Sequence, residues 1–208
     1  MKIIYDEVGP FAENGLAKVR LEESKTEQFG YIDRAGKVAV PIIYENVCLF
    51  DSNGFAKVKK NNKWGFVNRL GEEIIPPIYD STGFFRDDLV KVCQNSKWGF
   101  VDTNGKVVVL LQYDWVWKFI EGLVIVRNGE KHGAVNLKGE EAIPLIYDFM
   151  KPFSNGLSAI KKDQKWGYVN AGGTLQIPFL YDDAWDFTNG TAQVRLGSEF
   201  SYIELESS

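Results

Sequence analysis

Six carboxylates stand directly behind a tyrosine: Asp6, Glu45, Asp80, Asp114, Asp148 and Asp182. An aligned row of such groups could bind a cation or act on a sugar. An aspartate just past a strand more commonly caps a turn by accepting backbone N–H bonds. Recurrence in every repeat favours that local task. Lys63, Lys97, Lys131 and Lys165 form a second column that could pair with these acids in a ladder. Exposed pairs of this kind contribute only about 0–1 kcal/mol each. Carboxylate pairs also serve glycoside hydrolysis, but no pair stands out from the repeated background.

The remaining chemistry-bearing residues are few. His132 is the single histidine, so neither a Ser–His–Asp triad nor a multi-histidine metal site can be assembled within this chain. It stands in a tryptophan slot of the repeat, which reads as a core substitution. Cys48 and Cys93 are too few for a disulfide scaffold, suit a reducing cytoplasm, and have no partner placed to activate a thiolate. The expectation is a protein that is not an enzyme, with no catalytic residues, no metal and no cofactor. The 208 residues carry a net charge of −4, with 45% hydrophobic and 14% aromatic content. That composition excludes wholesale disorder and argues against a dedicated nucleic-acid binder. No run of about 18 apolar residues offers a membrane span. The opening Met1-Lys2-Ile3-Ile4-Tyr5-Asp6 does not read as a secretory leader, so a cytoplasmic location is expected.

Positioning comes from repetition. Gly30, Gly65, Gly99, Gly133 and Gly167 follow one another at intervals of 35, 34, 34 and 34 residues. Tyr5, Tyr44, Tyr79, Tyr113, Tyr147 and Tyr181 keep step, and six residues after each comes Phe11, Phe50, Phe85, Phe119, Phe153 or Phe187. Gly15, Gly54, Gly122, Gly156 and Gly190 follow, with Asp88 in that slot of the third repeat. One domain over residues 1–208 is expected, with repeats at about 1–40, 41–75, 76–109, 110–143, 144–177 and a truncated 178–208.

The local pattern is that of strands. Phe55–Lys59 and Trp64–Asn68 are short, rich in aromatic and β-branched residues, and separated by a polar turn, as in a hairpin. A glycine-containing turn follows at Asn68–Gly71, then a β-branched run, Ile74-Ile75, which Pro76 should stop. No stretch holds a helical period over three turns. The fold expected is all-β, a tandem repeat of about six three-stranded β-meanders stacked as an open solenoid or superhelix. The alternative is closure into a propeller-like toroid: Ile3-Ile4-Tyr5 matches the end of a third strand that the last repeat lacks. By strand alternation Trp64, Phe66 and Asn68 share one face, and Gly65 and Val67 the other. The structural motif residues are Trp64, Gly65, Trp98, Gly99, Trp166 and Gly167, the tryptophans as core and the glycines allowing close approach of a neighbouring repeat.

Lys63-Trp64-Gly65-Phe66-Val67-Asn68, Lys97-Trp98-Gly99-Phe100-Val101-Asp102 and Lys165-Trp166-Gly167-Tyr168-Val169-Asn170 resemble the motif of the WG-repeat family. Ile143-Pro144-Leu145-Ile146-Tyr147-Asp148 supports the resemblance, which covers residues 1 to 205. It implies a bacterial, mostly non-catalytic repeat module. Such modules occur among proteins suspected of neutralising toxins, which suggests an immunity protein.

Residues that break the repeat carry the functional expectation. Phe84, Trp115, Trp117, Phe149 and Trp185 are extra aromatics in the variable segment between tyrosine and phenylalanine. Tryptophan is enriched at binding hot spots, and variable loops on rigid elements are where repeat proteins recognise partners. Packing between repeats is the competing role for these rings. Trp115 and Trp117, two apart, should point the same way, and Trp185 shares a column with Trp117. The column holding Val8, Val47 and Ala184 should point inward. The expectation is a protein-protein interaction module for an unidentified protein partner, with no nucleic acid and no membrane insertion. A carbohydrate or cell-envelope binding module is the alternative.

Overall fold

Each repeat is built from local rules. At the first hairpin turn of the second repeat, Asn61 and Asn62 both take positive φ, 50° and 60°. That is the two-residue mirror-image turn whose twist matches the flanking strands, and asparagine tolerates it best after glycine. Asn95-Ser96 and Asp163-Gln164 repeat it. At the next turn Asn68 Oδ1 accepts the amides of Leu70 and Glu72 at 2.9 and 3.0 Å. Asp102 and Asn170 make the same pair of bonds in their repeats. In the slot where other repeats carry glycine, Asp88 is held at φ 62°.

The computed structural model describes residues 5–23 and 26–204. Module 1 holds β1 (Glu7–Phe11), β2 (Leu16–Glu23), β3 (Thr26–Asp33) and β4 (Val38–Tyr44). Module 2 holds β5 (Asn46–Val47), β6 (Phe55–Lys60), β7 (Lys63–Asn68) and β8 (Glu73–Tyr79). Module 3 holds β9 (Ser81–Thr82), β10 (Leu89–Gln94), β11 (Lys97–Asp102) and β12 (Val107–Tyr113). Module 4 holds β13 (Trp115–Ile120), β14 (Leu123–Asn128), β15 (Lys131–Asn136) and β16 (Glu141–Tyr147). Module 5 holds β17 (Phe149–Met150), β18 (Leu157–Lys162), β19 (Lys165–Asn170) and β20 (Leu175–Tyr181). Module 6 holds β21 (Asp183–Ala184), β22 (Thr191–Leu196) and β23 (Glu199–Glu204). Within modules the strands run antiparallel in sequence order, as in β5-β6-β7-β8.

The all-β tandem repeat is therefore as expected, but the meanders are four-stranded in modules with a full complement. The extra strand is the variable segment after the tyrosine and its acid. It pairs with the next strand over as few as two residues, Asn46↔Lys59 and Val47↔Val58, too short to announce itself by periodicity. The proline does not stop the last strand either. β8 runs through Pro76 and Pro77 to Tyr79, because the prolines sit in a bulge: Trp64 pairs with Tyr79, but Phe66 pairs with Ile75. Between these pairs the single residue Gly65 of β7 thus faces Pro76, Pro77 and Ile78 of β8. Proline at a bulge has no ladder bond to lose.

That bulge explains the motif glycine. A Cβ on Gly133 would lie 2.6 Å from the Ile143 carbonyl oxygen and 2.9 Å from the Leu145 nitrogen. The close approach is therefore made by the arched last strand of the same sheet, and not by a neighbouring repeat. A different glycine meets the preceding module. Gly173, at φ 79° in the Asn170 turn, would place a Cβ 2.6 Å from the Ala142 carbonyl oxygen of module 4. The Trp-Gly and Ile-Pro-x-x-Tyr motifs are thus two halves of one local structure.

The chain divides into two compact units, Met1–Ser96 with Phe100–Val107, and Lys97–Gly99 with Val108–Ser208. Modules 1 and 2 lie in the first and modules 4 to 6 in the second. Each core lies between consecutive sheets, because a four-stranded sheet this small cannot cover its own apolar face. In the first unit Tyr31, Val40 and Tyr44 pack against Val47, Val58 and Val67. In the second, Ile125, Ile143 and Tyr147 pack with Met150, Ile160 and Val169, and Trp166 and Tyr168 pack with Phe187 and Val194. Aromatic edges recur at these joints: Tyr31–Phe50, Phe66–Phe85 and Tyr168–Phe187 each have ring centroids 4.9 Å apart. The Tyr31 and Tyr168 hydroxyls donate to the Cys48 and Trp185 carbonyls of the next module at 2.9 and 2.7 Å. Burial raises the Tyr31 phenol to about 12. The inward column holds Val47, Thr82, Val116, Met150 and Ala184, all buried, whereas Val8 is 50% exposed. The Ile3-Ile4 segment lies outside the described residues.

Candidate functional site

The carboxylate column is structural. Asp148 Oδ1 accepts from Lys131 Nζ at 2.5 Å while its Oδ2 accepts the Asp163 amide at 2.8 Å. Asp114 does the same with Lys97 and Gly129, Asp182 with Lys165 and Gly197, and Asp80 with Lys63 and Asn95. Each acid therefore ties the motif lysine before it to the hairpin turn after it. The lysine bond, then the amide bond, holds Asp80, Asp114 and Asp182 below the usual carboxylate range; the lysine leads for Asp148 too. Among the described residues no group of three metal-ligating side chains forms.

A second row runs across each sheet. In module 1, Glu7 pairs with Arg20, Arg20 with Phe29, and Phe29 with Tyr44. In module 5 the row is Phe149, Lys161, Trp166 and Tyr181. In modules 1 and 2 the ring in the tryptophan slot is covered by a lysine arm from the neighbouring strand. Lys18 Nζ stands 4.5 Å from the Phe29 ring and donates to the Val47 carbonyl. Lys57 Nζ stands 4.1 Å from the Trp64 ring and donates to the Thr82 carbonyl. The arm fills the interval between one module and the next with its methylenes and satisfies a carbonyl with its head.

In module 5 Ala159 stands in that lysine position, and Lys151 takes the role instead, its Nζ 5.2 Å from the Trp166 ring and donating to the Ala184 carbonyl. Module 4 has neither lysine, nor the indole beneath it. Its row is Trp115, Arg127, His132 and Tyr147. Ile125 occupies the lysine slot and His132 the tryptophan slot. With the arm gone and the indole shortened to an imidazole, a cleft of about 400 Å³ opens. Trp115, Trp117, Ile125, Arg127, His132, Phe149, Met150 and Pro152 line it. Trp115 and Trp117 lie with ring centroids 5.1 Å apart, and Phe149 stands 5.3 Å from the His132 ring. Trp117 and Phe149 are 43% and 46% exposed. Burial first, then the Arg127 charge, lowers the His132 pKa, so its imidazole is neutral at neutral pH. The arrangement presents apolar, aromatic walls and one cation. It offers no acid–base pair and no nucleophile.

Of the aromatics singled out in the sequence, Trp115, Trp117 and Phe149 come together here. Phe84 lies in the first unit, 64% exposed and 5.7 Å from Lys57 Nζ. Trp185 lies in module 6, 6.1 Å from Phe200 and outside the cleft lining. The motif tryptophans divide: Trp166 is buried, while Trp64 and Trp98 are half-buried at the margin of the core. The deepest positions of module 2 are Ala56, Val58, Phe66, Val67 and Ile75. Sequence reading missed Arg127 and Ile125. The column Lys18, Lys57, Lys91 loses its lysine from Ile125 onward, through Ala159 and Gln193, which was a signal for one, and hairpin register opposite Trp115 for the other.

The fold is that of an all-β tandem-repeat protein. The chain belongs to the family described as WG containing repeat, matched at residues 2–23, 29–64, 64–98, 98–131, 133–166 and 166–200. That family is a repeat module. No curated protein matches the chain in sequence. Solved structures with a likeness include Kluyveromyces lactis Hsv2p, 9% identical at TM-score 0.40, over 97% of this chain and 76% of that one. A eukaryotic initiation factor is 12% identical at TM-score 0.41, over 92% and 61%. PorZ of Porphyromonas gingivalis, an essential bacterial surface component of the type-IX secretion system, is 9% identical at TM-score 0.36, over 97% and 31%. Likenesses of this size carry nothing about what the present chain binds.

Proposed function

We propose that the protein is a non-enzymatic binding module that engages another protein through its variable segments, with the module 4 cleft as the principal contact. The observation behind this reading is convergence. Trp115 and Trp117 are extra aromatics of the variable segment, His132 replaces the motif tryptophan, and with Ile125 they line one cleft with exposed aromatic rims. Rigid aromatic anchors of this kind dominate protein interfaces at little ordering cost. Toxin neutralisation in the cytoplasm, as an immunity protein, rests on the family resemblance and is proposed on that basis. Affinity capture from a lysate of the source organism, with wild-type protein and Trp117→Ala side by side, tests the binding reading. A partner held by the first and lost by the equally folded second supports it. Equal capture by both removes the cleft from the interface.

A carbohydrate-binding role is the second reading, favoured by the exposed indoles of Trp117 and Trp185.

A further inference from the structure

We propose that the module 4 cleft seats an acidic–aromatic anchor of a partner protein, an apolar ring between Trp117 and Phe149 with an adjacent carboxylate on Arg127. This rests on the protein-binding reading and specifies what the partner must present.

The repeat supplies its own control for the carboxylate. In module 1 the residue across from Arg20 is Glu7, and the arginine bonds Glu7 at 3.3 Å and Glu27 at 2.9 Å. In module 6 the residue across from Arg195 is Asp183, although this arginine donates to the Gly197 carbonyl; in modules 2 and 5 the cations are lysines, with Asn46 across from Lys59 and Phe149 across from Lys161. In module 4 the same position across from Arg127 is Trp115. Among the described residues the Arg127 side chain has no hydrogen bond and no ion pair. Asp114 is close enough to feel its charge but is engaged by Lys97 and the Gly129 amide. Arg127, half-buried in a cleft lined by two indoles, with a ring where modules 1 and 6 place an acid across from arginine, is a cation awaiting an external anion. Its planar fork matches a carboxylate bidentately.

The ring follows from the walls. Trp115, Trp117, Phe149, Met150 and Pro152 enclose a space of about 400 Å³, ample for one aromatic side chain with backbone on either side. The equivalent interval in module 1 also holds a cleft, of about 390 Å³, but Lys18, Glu7 and Arg20 line it and are already engaged, Glu7 with Arg20 and Lys18 with the Val47 carbonyl. The two clefts share a place in the repeat and differ in chemistry. Only the module 4 cleft combines an unpaired cation with an indole pair.

The test uses three capped peptides, acetyl-Gly-Phe-Asp-Gly-amide and its Phe-Asn and Ala-Asp counterparts, titrated into the full chain and followed by indole NMR signals. The Phe-Asp peptide is expected to bind at least ~5-fold more tightly than the Phe-Asn peptide at low salt, as a charge-assisted contact requires. The Ala-Asp peptide should not saturate. Arg127→Gln should abolish the Asp preference and keep the requirement for phenylalanine. Trp115→Glu, which restores the module 1 carboxylate, should abolish the same preference with Arg127 intact. Equal binding of Asp and Asn peptides, or an Asp preference that survives in Arg127→Gln, overturns the proposal. If a partner is captured through Trp117 while no peptide binds, the acidic–aromatic anchor is wrong and the protein-binding reading stands. If a trimer of N-acetylglucosamine shifts the same indoles and the peptides do not, both fail.

Discussion

Gly167 lies beneath Ile177: a Cβ on the glycine would stand 2.5 Å from the isoleucine carbonyl oxygen on the adjacent strand. The strands diverge there, Trp166 pairing with Tyr181 and Tyr168 with Ile177, and the arch between them closes over the glycine. Gly167→Ala must therefore push backbone, which cannot swing aside as a side chain would. We expect a loss of about 3 kcal/mol or more, at the upper end of overpacking costs. Gly156→Ala is the comparison, since φ is 75° there but nothing lies within 4 Å of a Cβ. It should cost only the left-handed penalty of about 1–2 kcal/mol. Gly99→Leu should exceed both. Thermal or urea denaturation of the three variants checks the order, and equal effects would refute the arch.

The lysine–aspartate ties make stability fall in acid. Asp80, Asp114, Asp148 and Asp182 have pKa values below those of the unfolded chain. The stabilisation is thus complete above the unfolded carboxylate value, about 4, and is lost as pH falls through the lower folded values. Lys131, raised by the same pair, loses its share only as pH climbs above its ordinary range. Melting temperature should therefore be flat near neutrality and drop below about pH 4. Asp148→Asn should lower the plateau and shallow the acid slope. An unchanged slope would mean that the pair does not couple to folding.

Much of this scaffold was legible because strand periodicity and glycine turns are written in consecutive residues. The Phe55 to Asn68 hairpin needed nothing beyond its own sequence. Pairing over two residues, as in β5 and β17, has no period to read, and so the fourth strand was missed. The bulge was missed for a related reason: Pro76 has the same local signature whether it ends a strand or arches one, and register alone separates the two. At the site, Trp115, Trp117 and Phe149 stood out because they broke a column. Arg127 did not, since Arg20 and Arg195 hold the same slot, and its meaning comes from the missing acid opposite.

Burial separates folding tryptophans from surface ones. Trp166 is 8% exposed and packs with Tyr168 and Phe187, so Trp166→Ala should cost about 3–5 kcal/mol. Trp98, half-buried, should cost less than Trp166 but more than Trp117 and Trp185, which are 43% and 36% exposed. If the surface pair serves a partner, Trp117→Ala and Trp185→Ala will weaken partner affinity more than they lower melting temperature, and Trp98→Ala will do the reverse. Trp185 lies outside the cleft. A partner contact there and at Trp117 would therefore require a footprint spanning modules 4 to 6. Both quantities measured on the same four variants decide the matter.

The cleft can also be closed by returning module 4 to the repeat. Ile125→Lys places an ammonium where Lys18 and Lys57 reach the Val47 and Thr82 carbonyls, with the Met150 carbonyl in the corresponding place. His132→Trp restores the indole under that arm, in space that is already open. Because the volume exists, the double variant should fold without the usual cost of overpacking, about 1–3 kcal/mol. It should also remove His132 Nδ1, a buried nitrogen with no hydrogen-bond partner, whose desolvation costs about 1–3 kcal/mol. Melting temperature is therefore expected to hold or rise. Ligand binding should fall at least ~10-fold, about 1.4 kcal/mol, since ring and arm now fill the pocket. A variant that melts lower yet binds normally would show that the cleft is neither spare volume nor the site, and a variant that melts higher and no longer binds would show that module 4 gave up packing for recognition.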